Sequence, residues 1–189
     1  MGRRSSIGEE DLIKALSRVF RDMGYEGATL SSLSQETGLR RASLYHRFPS
    51  GKEQMAQEVL AASENWLTEN LFEPLKGDAP AEQRLQAMTR KLDALYSSGK
   101  QACILNMLSS ANGGDNPFAA AIKRIFNALI DSFATLAEEQ GFDKSGARAR
   151  AERAVMLLHG SLVLSRGMGS QAPFERFLET LPDELLGRP

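Results

Sequence analysis

Apolar side chains return at helical spacing along most of this chain. The first stripe, Leu12, Ile13, Leu16, Val19, Phe20 and Met23, predicts a helix from Glu9 to Met23. Ser6 with Glu9 forms a candidate capping box, and Glu9, Glu10 and Asp11 suit the positive end of a helix. Gly24 stops this helix. Thr29 is placed to cap a second one over Leu30–Thr37, with Leu33 turned inward, and Gly38 stands where a left-handed terminator is wanted. A third short helix spans Arg40–Phe48 and ends at Pro49, because the residue before a proline disfavours the helical region. Two short helices joined by a tight glycine turn, with a longer helix before them, form the helix-turn-helix pattern. The second helix of such a pair enters the major groove. Here it carries Arg40, Arg41, Ser43, Tyr45, His46 and Arg47, cations and hydroxyls that suit phosphates and base edges, while Leu44 and Phe48 anchor its other side.

The rest of the chain predicts longer helices. Met55, Val59, Ala62 and Trp66 define a stripe in a helix over Lys52–Glu73, followed by a loop at Pro74, Gly77 and Pro80. A fifth helix covers Ala81–Ser97. The apolar run from Ala102 to Leu108 reads as a short central helix in this context, and Asn112–Asp115 as a loop. A seventh helix runs over Pro117–Gln140 and an eighth over about 145–167, followed by a last one over about 173–186. After Arg153 the eighth helix has almost no polar face: Val155, Met156, Leu157, Leu158, Leu162, Val163 and Leu164 lie nearly all round it. Such a helix needs burial on two sides. One side can meet its own core and the other a second copy of the chain, so a homodimer through the last two helices is expected. The expected fold class is all-α, about nine helices, with a helix-turn-helix DNA-binding domain over 1–51 and a helical dimerisation domain over 52–189.

Composition adds a polarity to this picture. Residues 1–52 hold nine Lys/Arg and six Asp/Glu, net +3, which leaves −4 for the rest of a chain of net charge −1. A basic head on an acidic body fits a nucleic-acid contact confined to one end. Arg3 and Arg4 are candidates for a minor-groove arm or a solubilising tail. Cys103 is the only cysteine, so no internal disulfide framework exists, and its apolar surroundings suggest an unreactive thiol. No apolar run approaches the roughly 20 residues that span a membrane. A cytoplasmic protein without a membrane partner is therefore expected. Two distant histidines and one cysteine make no metal site. No Ser/His/Asp set, phosphate loop or paired carboxylates suggest an enzyme, so neither catalysis nor a cofactor is expected.

At the level of motif the head becomes more specific. Gly24-Tyr25-Glu26-Gly27-Ala28-Thr29, Leu33, Gly38-Leu39, Ser43-Leu44-Tyr45-His46-Arg47-Phe48-Pro49 and Gly51-Lys52-Glu53 together resemble the TetR family of bacterial repressors. Two positions depart from the usual pattern: Ser34 replaces a small apolar residue, and Arg40 stands where a Ser or Thr cap is common. The resemblance implies a homodimer that reads a near-palindromic operator in double-stranded DNA. On it, Tyr45, His46 and Lys52 match phosphate-contacting positions, Thr29 a capping position near a phosphate, and residues 40–43, among them Arg40, Arg41 and Ser43, the base-reading start of the recognition helix. It also implies a body that binds a small apolar or amphipathic ligand and releases the repressor; an activator or a ligand-free DNA binder is the alternative. Met88, Leu92, Tyr96, Cys103, Met107, Phe126, Ile130 and His159 are the candidates to line that site, and each reads equally well as core packing.

Overall fold

The structure, a computed structural model, describes residues 7–109 and 116–187. Ser6, Arg3, Arg4 and the Asn112–Asp115 loop lie outside the described residues. Nine helices and no strand occur among those described: α1 Glu9–Gly27, α2 Leu30–Thr37, α3 Arg41–Arg47, α4 Gly51–Leu67, α5 Ala81–Tyr96, α6 Ile104–Ser109, α7 Ala119–Glu139, α8 Lys144–Met168 and α9 Ala172–Leu186. The chain forms two compact units. One comprises the residues up to Ser63 with Ile104–Ala121; the other comprises Glu64–Cys103 with the residues from Ile122 onward.

In the first unit α1 packs against α2 and α6. Its N-cap is Gly8 rather than Ser6, and Leu12, Leu16, Val19 and Phe20 form its buried stripe, while Met23 is exposed. Gly24 does interrupt the helix, at φ 69° and ψ 176°, but helical hydrogen bonding resumes and carries α1 on to Gly27. That backbone geometry belongs to glycine, because a Cβ disfavours it. α2 begins as expected: the Thr29 hydroxyl accepts from Ser32 N at 3.1 Å, and Ser32 Oγ accepts from Thr29 N at 3.0 Å. The reciprocal cap thus uses a serine where glutamate or glutamine is usual. Gly38 ends α2 in the left-handed region, at φ 68° and ψ 4°.

The second unit is built of the longer helices. α8 packs along α9, and α9 also meets α5. The periodicity of Met55 to Trp66 predicts a helix continuing to Glu73, and helical backbone does continue past α4, through a wider π turn, Thr68–Phe72, and a last α turn, Glu73–Leu75. Pro74 lies in that last turn; it has no N–H to donate to a carbonyl four residues back, so the bonding there departs from that of a regular α-helix. Thr68 Oγ1 donates to Glu64 O at 2.9 Å and Asn70 Nδ2 to Trp66 O at 3.0 Å, which satisfies carbonyls near the irregular turn. Arg84, buried in α5, donates to the carbonyls of Ala79 and Leu75 and pairs with Glu139, closing the loop that precedes its own helix. Asn116, not Pro117, organises the start of α7, accepting from Phe118 N at 2.8 Å. Asp143 caps α8 through a 2.8 Å bond from Gly146 N. No helix among the described residues is long and apolar enough to cross a membrane.

Candidate nucleic-acid interface

The turn between α2 and α3 is held by side-chain hydroxyls. Thr37 Oγ1 donates to Leu33 O at 2.7 Å, and Ser34 Oγ donates to Leu39 O at 2.5 Å. Ser34, unusual by the family pattern, therefore replaces apolar packing with a hydrogen bond that ties α2 to the residue before the α3 cap. Leu33, Leu44 and Phe48 are completely buried and anchor the helix pair. Arg40 caps α3 with extended backbone and no side-chain hydrogen bond, as expected of an arginine at that position.

The opposite face of α3 is open. Arg40, Arg41, Ser43 and His46 are exposed, and Tyr45 keeps 48% of its surface. The Tyr45 ring lies beside the α-carbon of Gly51, where a Cβ would stand 3.5 Å from its Cε1. Arg41 donates to Ser31 Oγ on α2, which aims its guanidinium across the helix pair. Thr29 is exposed although its hydroxyl is engaged in the α2 cap. Lys52 is half-buried: its ammonium donates to Tyr25 O at 2.8 Å and sits 4.3 Å from the Tyr25 ring centroid. The Tyr25 ring packs edge-on against Phe118 at 5.0 Å, and burial, then the charges of Glu53 and Glu26, push its hydroxyl pKa up. One of the three ammonium donors of Lys52 is thus used to fix the start of α4 on α1.

Arg47 behaves differently from its neighbours. Its guanidinium forks onto Glu58 of α4 and also reaches Glu9 of α1. No local spacing links residues 9, 47 and 58, so this cluster has no signature in the sequence.

In the other unit, four of the candidate ligand residues make contacts with one another. Tyr96 OH donates to Cys103 Sγ across 3.6 Å, and the Phe126 ring stands edge-on to His159 at 5.0 Å. His159 Nδ1 lies 2.8 Å from Val155 O. A carbonyl only accepts, so Nδ1 carries the proton and Nε2 is left as the acceptor. Nε2 is buried. Burial opposes the charged imidazolium, but the Cys103 thiol and the Val155 carbonyl outweigh it and raise the His159 pKa. Met88 and Leu92 are buried on α5, and Ile130 is half-buried on α7. Met107 belongs to the first unit, where its side chain lies beside Gly24.

An exposed reading helix fixed on two partner helices defines a helix-turn-helix DNA-binding protein. Comparison with known proteins agrees. Residues 12–59 match the family described as bacterial regulatory proteins, tetR family, and residues 80–180 match the C-terminal domain of LmrA/YxaF-like transcriptional regulators. The chain is 21% identical over 179 residues to the HTH-type transcriptional regulator LmrA of Bacillus subtilis (strain 168), covering 93% of this chain and 95% of that one. Its fold resembles a TetR transcriptional regulator from Legionella pneumophila, with a TM-score of 0.83 at 18% identity over 97% of this chain and 100% of that one. A TetR-family regulator, CifR, in a cysteine mutant complexed with 26-base-pair operator DNA, superposes with a TM-score of 0.71 at 22% identity, covering all of both chains. The protein belongs to the TetR family of DNA-binding transcriptional regulators.

Proposed function

We propose that this protein is a homodimeric repressor that binds a near-palindromic operator and is released by a small apolar or amphipathic ligand. The observation that carries the DNA half is the division of α3: Leu44 is fully buried while Arg40, Arg41, Ser43, Tyr45 and His46 stand exposed beside it. Residues 40–43 read base edges, and Tyr45, His46, Lys52 and the Thr29 cap hold phosphates. The division of labour places DNA binding in residues 1–51 and ligand binding and dimerisation in 52–189, acting in the cytoplasm.

The dimer rests on α8. Met156, Val163, Leu164 and Met168 are 66%, 55%, 54% and 68% exposed, whereas Val155, Leu158 and Leu162 on the other side are buried. With Leu157 at 42%, five exposed large apolar side chains on one helix are a costly surface for a lone chain, and a second copy removes it from water. A two-fold dimer then presents two α3 helices to two half-sites about one DNA turn apart, roughly 34–36 Å. The ligand half draws on Tyr96, Cys103 and His159, polar groups set among apolar ones, with Met88, Leu92, Phe126 and Ile130 as the apolar lining. The ligand must bind the DNA-incompetent state more tightly, or it shifts nothing.

Operator binding is tested by fluorescence anisotropy with DNA from upstream of the protein's own gene, across a salt series. The expected result is tight binding that weakens steeply with salt, because neutralised phosphates release counterions. Salt-independent or absent binding to every upstream fragment would overturn the reading.

A further inference from the structure

The recognition helix ends on a cation that the operator reading leaves without a role. Arg47 Nη2 lies 3.0 Å from Glu58 Oε2 and Nη1 3.3 Å from Glu58 Oε1, a two-pronged fork. Nη2 also donates to Glu9. The guanidinium carbon stands 4.7 Å from the centroid of the Phe48 ring, which is completely buried. Gln54 Nε2 donates to Glu58 Oε1 at 3.0 Å and holds that carboxylate in place. One side chain therefore joins α1, α3 and α4.

Two features set this cation apart from the other basic groups of α3. Its single positive charge lies between two carboxylates, so the cluster carries −1, and a DNA phosphate approaching it meets like charge. Moreover α3 has only seven residues, and within it only Leu44 is buried. A helix of two turns held by Leu44 and the following Phe48 can still rock about those apolar anchors. A forked ion pair at its last residue supplies a third fixed point, and the planar guanidinium is the group whose geometry allows it.

We propose that Arg47, with Glu58 and Glu9, is a positioning residue that sets the angle at which α3 meets DNA, and that it is not a phosphate ligand. The proposal rests on operator reading by α3. A phosphate ligand and a positioning residue differ in two measurable ways. Loss of a phosphate contact lowers the slope of log K against log salt by about 0.9 per half-site. Loss of a positioning contact lowers affinity at every salt concentration and leaves the slope alone. A phosphate ligand also cannot be replaced by an acid, whereas an ion pair can be reversed.

The test uses the full-length protein, with operator anisotropy titrations over a salt series for wild type, Arg47→Met, Arg47→Lys, Arg47→Glu and the exchanged pair Arg47→Glu/Glu58→Arg. Arg47→Met is expected to weaken binding roughly three- to tenfold, the scale of a networked pair, with an unchanged slope. Arg47→Lys keeps the charge but not the fork and is expected to weaken binding similarly. The exchanged pair is expected to bind more tightly than Arg47→Glu alone. A slope reduced by about 0.9 per half-site in Arg47→Met overturns the proposal. Wild-type affinity in Arg47→Lys overturns it as well, and that variant decides the matter if the exchanged pair does not fold. An exchanged pair that folds and binds no better than Arg47→Glu also overturns it. Failure of wild type to bind any operator removes the reading beneath it, a result distinct from a failure confined to the variants.

Discussion

The two units of this protein obtain their order by different means. In the DNA-binding unit the two helices of the reading pair are short, eight residues in α2 and seven in α3, and the ends are fixed residue by residue: a reciprocal Thr29–Ser32 cap, glycines at φ near 70° in positions 24 and 38, hydroxyls bonded across the α2–α3 turn, and an arginine fork onto α4. In the other unit α5, α8 and α9 run to 16, 25 and 15 residues, and order comes from apolar surface. Phe133, Phe174, Leu85 and Leu136 are fully buried, and polar contacts such as Arg124 with Glu64, at 2.7 Å through two nitrogens, sit at its periphery. Short helices are marginal on their own, since nucleation is unfavourable and few bonds follow it. A small reading head must therefore be specified locally, while a large body can be specified by burial.

That contrast can be broken at three places. The largest effect is expected at the exposed apolar face of the body. Leu164→Glu puts a charge where the proposed partner copy would sit, and sedimentation should show a monomer. Loss of simultaneous half-site engagement should weaken operator binding about a hundredfold or more. A dimer of unchanged affinity in Leu164→Glu would mean that the copies meet elsewhere.

The second test addresses the local specification of the head. Gly24→Ala asks an L-residue to adopt φ 69° and ψ 176°, with Met107 Cε 3.5 Å from the new methyl carbon, an ordinary contact. The cost then comes from the backbone and should be about 1–3 kcal/mol, read by chemical denaturation. A neutral result would show that α1 can end in another conformation, and that the head is less tightly fixed than its caps suggest.

The smallest effect is expected at His159. Its pKa is raised in the folded protein, so protonation favours the native state below the unfolded value near 6.5. This contribution is present in full in acid and is lost as pH rises through the folded pKa. The thermal stability of wild type relative to His159→Gln should accordingly be greater at about pH 5.5 than at about pH 8.5. An equal difference at both would show that the Cys103 and Val155 contacts do not favour the imidazolium.

The sequence by itself determined the all-α class, the positions of the nine helices to within a few residues and the helix-turn-helix. It could do so because helix stripes, caps and glycine terminators are local, and because the head's motif residues lie at fixed short spacings. It also marked α8 as too apolar for one packed side, and the structure leaves Met156, Val163, Leu164 and Met168 exposed there. What it left open depends on contacts between distant positions. The stripe through Trp66 gave no sign of the π turn before Pro74, since periodicity does not register the loss of a hydrogen bond. Arg47 read as one more cation on a DNA-facing helix. Only the tertiary structure turned it toward Glu9 and Glu58, 38 and 11 residues away in the chain, because packing and not local spacing brings those three positions together.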